Sequence, residues 1–148
     1  MQAADAYFAF HLFAARFSNQ AEAELFTFEQ WEPEPAADAS AAEFSAWEAR
    51  NPSWRLKQEL GYDMDADFVE LIEREDGPQY LQSLIRSDAE KQQLRTRIDP
   101  DYSHYILIAS DSIHGDRQSD APGPNRLKPE NTATLDYLGE FNHSSAPR

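Results

Sequence analysis

Apolar and polar positions along the 148-residue chain alternate in a way that predicts strands separated by short helices. Residues 7–13 are rich in aromatic side chains and have the length of a strand, and residues 102–109 give the strongest strand signal in the second half. Residues 68–72 predict a strand or an extended edge, and residues 133–141 predict a closing strand. Helices are predicted at residues 20–28, 40–50, 53–60, 79–85 and 89–97.

Residues that often begin helices support these assignments. Ser18 or Asn19 can cap the first helix, because a short side-chain oxygen there can accept a hydrogen bond from an unpaired backbone N–H. Ser40 and Glu43 have the spacing of a capping box at the start of the second helix. Ser53 is expected to cap the third.

The order of these elements predicts one α+β domain over residues 1–142, with an antiparallel sheet and helices packed mainly on one face. The segment 110–131 carries three prolines and two glycines, which favours a long flexible loop. Residues 143–148 are expected to form a frayed tail.

Charge restricts the functions that this chain can have. The net charge is −14, and residues 1–76 contain 17 acidic and 5 basic side chains. Between residues 17 and 49 there are eight acidic residues and no basic one. Such a surface repels phosphate, so direct binding of nucleic acid or of an anionic membrane is disfavoured. A partner protein with a basic surface is favoured, although the charge could also serve solubility alone.

Three features that bear on localisation and redox chemistry are missing from the sequence: a membrane span, a signal-peptide pattern and cysteine. No apolar run approaches the ~20 residues of a membrane span, and no signal-peptide pattern follows Met1. The chain has no cysteine, which removes disulfides and zinc–thiolate sites. We therefore expect a cytoplasmic protein.

The residue patterns give no positive argument for an enzyme or a cofactor. The four histidines are too far apart in sequence to form a helical metal pair. Asp63, Asp65 and Asp67 resemble the start of a calcium loop, but Phe68 and Arg74 occupy the positions that need Gly and Glu. No phosphate-binding glycine loop or nucleophile elbow is present. We expect no catalysis, no metal and no cofactor.

Aromatic residues among acidic ones are candidate anchors for a protein partner. Trp31, Trp54 and Tyr62 each lie in polar or acidic sequence, as interface anchors often do. The alternative is that these rings join helices to the core. Trp47 lies at helical spacing from Phe44, so for Trp47 we expect core packing.

Several segments together, in residues 13–25, 60–70 and 135–141, resemble a family of small acidic immunity proteins encoded beside polymorphic toxins in bacteria, including toxins of type VI secretion systems. The resemblance covers most of residues 7–142. It implies a protein that binds and neutralises a cognate secreted toxin, often a nuclease.

Charge and resemblance together predict a contact surface formed by residues 22–34 and 63–76. Its candidate residues are Glu29, Trp31, Glu32, Tyr62, Asp63, Asp65, Asp67 and Glu70. Two alternatives remain open at this point. One is an acidic chaperone or adaptor for a secreted effector, and the other is a carboxylate-based metal-binding enzyme. The toxin, the mode of inhibition and the oligomeric state are not determined by the sequence.

Overall fold

The computed structural model describes residues 9–110, 113–116 and 130–143. Its strands are β1 (Ala9–Ala15), β2 (Tyr62–Met64), β3 (Val69–Glu73), β4 (His104–Ala109), β5 (Ile113–Asp116) and β6 (Leu135–Asn142). Its helices are α1 (Gln20–Thr27), α2 (Ala41–Arg50), α3 (Arg55–Leu60), α4 (Gly77–Leu84) and α5 (Asp88–Arg95).

The main sheet has four antiparallel strands in the order β3-β4-β1-β6. β1 and β4 are the two central strands, and every residue of β4 is buried. β2 and β5 form a separate two-stranded antiparallel sheet. The predicted α+β domain with an antiparallel sheet is confirmed.

Helices lie on both faces of the sheet, which differs from the expectation that they pack mainly on one. α1 and α3 contribute Phe26 and Leu56 to the core on the first face, and α4 and α5 contribute Leu81 and Leu94 to the core on the second. The physical reason lies in the central strands. Because β1 and β4 carry apolar side chains at consecutive positions, both of their faces must be covered.

The helix starts were predicted with mixed success. The Asn19 side chain accepts a hydrogen bond from Glu22 N at 2.8 Å, and Ser40 with Glu43 forms the capping box. Ser53 does not cap α3, which begins after Trp54 without a side-chain cap. The backbone of Ser53 pairs with Gln30 instead.

Glycine is required at the start of α4. A Cβ atom on Gly77 would lie 2.6 Å from the Tyr105 ring, so the helix can approach the sheet closely only without a side chain there. The sequence prediction began this helix at residue 79, two residues late. Proline in its first turn is compatible with a helix start because that N–H has no intrahelical partner.

Two sequence expectations failed at β2 and β5. No strand was predicted at residues 62–64, whose Asp63 and Met64 were interpreted with residues 65–67 as an acidic turn or contact patch, and residues 113–116 were predicted as part of a flexible loop; the structure pairs the two segments as strands. Strands of three and four residues carry little periodic signal, so tertiary contacts decide whether they pair. The remainder of the predicted loop, at 111–112 and 117–129, and the predicted tail at 144–148 lie outside the described residues. His143 forms an isolated bridge with Ile85.

Candidate functional site

Large apolar side chains are exposed at the end of α1 and just after it. Leu25 is 51% exposed, Phe28 is 37% exposed and Trp31 is 58% exposed. The opposite side of the helix is anchored in the core by Ala23 and Phe26. We call Leu25, Phe28, Trp31 and the adjoining Trp47 the aromatic patch. It lies in the part of the chain that has eight acidic residues and no basic one.

Trp47 joins α2 to the aromatic patch and does not reach the core, which corrects the sequence expectation. Its ring centroid lies 5.8 Å from that of Trp31, and its Nε1 donates to the Glu32 carbonyl at 3.1 Å. No residue of α2 is buried. Trp47 therefore packs on the segment after α1. The sequence spacing of Phe44 and Trp47 predicts an apolar face but cannot say what covers that face.

Glu32 lies beside the aromatic patch in an ion pair with Arg50. Arg50 Nη2 donates to Glu32 Oε1 at 3.0 Å, and Arg50 Nε contacts both carboxylate oxygens at 3.2 Å. The hydrogen bonds from Arg50 lower the pKa of Glu32 below its ordinary value. Because the charge of Glu32 is shared with a cation, Glu29 is the better candidate for attracting a basic partner.

Two predicted anchors, Trp54 and Tyr62, are core residues and not exposed rings. Each is 5% exposed and packs in the core of the first sheet face. Trp54 Nε1 donates to the Thr27 carbonyl at 2.7 Å, so this ring joins α1 to α3. Their polar neighbours in sequence misled the prediction, since strands and helix starts place adjacent residues on different sides.

The acidic candidates after residue 62 occupy different local structures. Asp63 belongs to β2 and pairs with Gly115 of β5. Asp65 Oδ1 accepts a hydrogen bond from Asp67 N at 3.0 Å and caps a short 3₁₀ helix, Ala66–Phe68. Asp67 is exposed, and Glu70 Oε2 accepts from Tyr80 Oη at 2.7 Å. A capping role accounts for the spacing of Asp65 and Asp67 that had suggested calcium.

A second acidic surface lies between β3, α4 and the start of α1. It is an open groove of about 620 Å³, and its walls include Glu70, Glu73, Glu75 and Asp76. Within the described part of the chain, no Lys or Arg lines it. We call this the acidic groove. A neighbouring cavity of about 420 Å³ shares Glu73 and Glu75 with it.

The acidic groove contains residues of one of the two acidic segments that the sequence had proposed, residues 63–76, and none of its described lining residues belongs to residues 22–34. Gln20, the first residue of α1, lines it beside Glu70 and Glu73 of β3. Glu73, Glu75 and Asp76 were not among the predicted site residues. The run of acids that ends β3 and precedes α4 was the available signal, but its alignment with a groove depends on how α4 folds back.

The clearest cluster of titratable side chains outside these surfaces is centred on His11. His11 Nδ1 lies 2.9 Å from Tyr137 Oη, and Glu140 is 3.9 Å from Nε2. Burial lowers the pKa of His11, partly opposed by Glu140, and burial raises the pKa of Tyr137 to about 12. His11 is thus held neutral as a hydrogen-bonding partner. Among the described residues, no three His, Asp or Glu side chains converge as a metal site would require.

Two further findings concern membranes and relatives. Over the residues that the structure describes, none of the helices has the length and apolar character needed to cross a bilayer. Comparison of the chain with protein-family models, with curated proteins and with solved structures gave no match.

Proposed function

We propose that this protein is an inhibitor that binds a basic secreted toxin, of which a nuclease is the favoured kind, and neutralises it. The observation that carries the proposal is the aromatic patch: Leu25, Phe28 and Trp31 are exposed within a stretch that has no basic residue. A surface that serves solubility alone has no need of three large exposed apolar side chains within seven residues of sequence. Apolar anchors surrounded by charge are typical of protein interfaces.

The acidic residues and the aromatic anchors would act on different steps of binding, association and dissociation. Acidic residues accelerate encounter with a basic partner, and this contribution weakens as salt rises. Burial of Trp31 would lengthen the lifetime of the complex, since central aromatic anchors contribute most of the binding free energy. The tilted ring contact with Trp47 supports this role, because a ring that is already held loses less conformational freedom on binding.

Two grounds favour a basic toxin as the partner: its charge would complement the acidic surface, and the family resemblance described above implies a toxin. A nuclease must attract phosphate and so presents a basic cleft. An acidic protein that occupies the same field competes with the nucleic acid. This argument favours a nuclease over toxins that act on neutral or cationic substrates.

Binding kinetics with the toxin encoded by the adjacent gene test the proposal. We expect the complex formed by Trp31→Ala to dissociate about thirtyfold faster, which corresponds to the loss of about 2 kcal/mol expected for a central anchor. Association should change little, because Trp31 carries no charge. Unchanged dissociation would remove Trp31 as the anchor.

A pair of charge variants separates the aromatic patch from general acidity. Glu29→Gln with Glu34→Gln should slow association, whereas Asp88→Asn with Glu130→Gln removes the same charge elsewhere and should not. Asp88 and Glu130 are exposed and outside the patch. We call the second pair the control pair. Equal effects of both pairs would mean that net charge alone governs the encounter.

A further inference from the structure

β3 is an edge strand, and within the described part of the chain its outward side has no partner strand. It pairs with β4 alone, while β6 forms the opposite edge of the sheet. Among the described residues, hydrogen bonds from other elements cover the outward edge of β6 but not the middle of the outward edge of β3. That difference is the basis of the inference.

The outward edge of β6 is covered by hydrogen bonds from other elements. Tyr137 N donates to Asn131 Oδ1 at 2.7 Å, and Asn142 N donates to Glu90 Oε1 at 3.0 Å. Arg86 N donates to the Asn142 carbonyl at 3.0 Å. These contacts prevent another strand from pairing there.

The outward edge of β3 has no such cover. In the described part of the chain, hydrogen bonds to its backbone from outside the β4 pairing occur only at its ends: Val69 N donates to the Ala66 carbonyl, and Asp76 N donates to the Glu73 carbonyl. Backbone groups alternate sides along a strand, and Arg74 N donates to the Ser103 carbonyl on the β4 side, so Leu71 is the middle residue that faces outward. Leu71 makes no such hydrogen bond. An edge strand of this kind presents unpaired N–H and C=O groups to which an extended segment can bond.

The acidic groove runs along this open edge. Residues 70–73 line it, with Tyr80 and Ser83 of α4 on one side and Gln20 of α1 on the other. Its volume of about 620 Å³ is within the usual range of binding clefts, roughly 300–1,000 Å³. The unpaired strand therefore lies inside a cleft that can hold side chains of an added segment.

The carboxylates of the groove favour a basic occupant. Glu70 and Glu73 belong to opposite faces of β3, because side chains alternate along a strand. Glu75 and Asp76 add two more carboxylates at the end of the strand. An added strand with Lys or Arg side chains would meet a carboxylate on either face, and an acidic strand would be repelled.

We propose that the β3 edge binds an extended basic segment of the partner protein by strand addition, with backbone pairing centred on Leu71 and side-chain contacts to Glu70 and Glu73. This inference deepens the proposed function and rests on its claim of a basic protein partner. It assigns the mode by which part of that partner is recognised. On α1 the groove residue Gln20 and the patch residue Leu25 are separated by roughly 7.5 Å along the helix axis, at 1.5 Å per residue.

Hydrogen exchange with a peptide probe tests the proposal on the whole protein. The probe is a peptide of about six alternating Lys and Val residues, with blocked ends, which is a typical strand length. We expect it to slow amide exchange in residues 69–73. A second peptide with Glu in place of Lys should not slow it. A third, Lys–Val peptide with N-methylated backbone amides should also fail, because it keeps the charge but cannot pair as a strand.

Variants of the groove provide the second readout. The double variant Glu70→Gln with Glu73→Gln should weaken binding of the Lys–Val peptide by about threefold to tenfold at low salt. The glutamine at position 70 can still accept from Tyr80, so the fold is preserved. The control pair should leave the affinity unchanged.

Three outcomes would overturn the proposal. One is unchanged exchange in residues 69–73 at saturating peptide, and another is equal binding of the N-methylated peptide. The third is slowed exchange that depends on protein concentration without peptide, since a second copy would then occupy the edge. Any of these leaves the aromatic patch and the toxin assay unaffected, so failure here is distinct from failure of the proposed function.

Discussion

The three tryptophans show how one residue type takes different roles under similar local sequence. Trp54 is buried and donates to the Thr27 carbonyl, Trp31 is exposed, and Trp47 stacks between α2 and Trp31. All three lie among polar or charged neighbours in sequence. Their roles are decided by which helix packs on the sheet, and that information is not local. The sequence could therefore select tryptophans as candidates but could not choose among them.

Protonation of His11 gives a prediction at the residue scale. Burial lowers its pKa below the ordinary value of 6.5, so the unfolded chain binds a proton that the folded protein does not. The contribution of His11 to stability is present above pH 6.5 and is lost as the pH falls below that value. We expect the difference in unfolding free energy between wild type and His11→Gln to shrink from about pH 7.5 to about pH 5.5.

Urea unfolding at several pH values measures this difference. The pKa values of His104 and His143 are also lowered by burial, but both residues are present in the two proteins and cancel in the comparison. Parallel pH profiles for the two proteins would contradict the assignment of His11 as a buried neutral histidine.

At the scale of elements, α2 differs from the other helices because it buries no residue. It is held by its capping box, by the Trp31 stack and by the Glu32–Arg50 pair. Exposed contacts of this kind contribute little individually. α2 should therefore open locally at lower free energy than the helices that pack on the sheet.

Removal of the cap tests this difference between helices. Ser40→Ala should cost α2 about 1 kcal/mol and accelerate its amide exchange about fivefold, while exchange in β4 and global stability stay the same. Ser87→Ala is the matched control, because Ser87 caps α5 at 3.0 Å from Glu90 N and α5 buries Leu94. The Ser87 variant should lower global stability by about 1 kcal/mol. Equal global losses in both variants would mean that α2 unfolds only with the whole domain.

Much of the element pattern could be predicted from sequence, and the failures have a common cause. β1 and β4 follow apolar runs rich in aromatic or branched side chains, and α1 and α5 begin at recognisable caps, Asn19 and Ser87. β2 and β5 do not, because each is short and pairs with a partner about fifty residues away. The acidic groove was missed for the same reason. Glu73 and Asp76 are ordinary surface acids in sequence, and only the return of α4 along β3 places them around an open strand.

For the whole molecule, the central point is where the charge lies relative to two surfaces that can take a partner. The first 76 residues hold a net charge of −12, and they contain the patch residues and most of the residues that line the groove. Acidity by itself predicts fast encounter with a basic protein. The exposed Trp31 and the open edge of β3 add the means to hold that protein in one orientation.

Inhibition of the toxin encoded by the adjacent gene tests the account most directly. The purified toxin is titrated with this protein, and its activity is measured at each ratio. The account predicts loss of activity that is complete near equal amounts, with Trp31→Ala requiring a larger excess and the control pair behaving as wild type. A stable complex with full toxin activity would indicate an adaptor, and a fully active toxin in excess of this protein would contradict the proposed function.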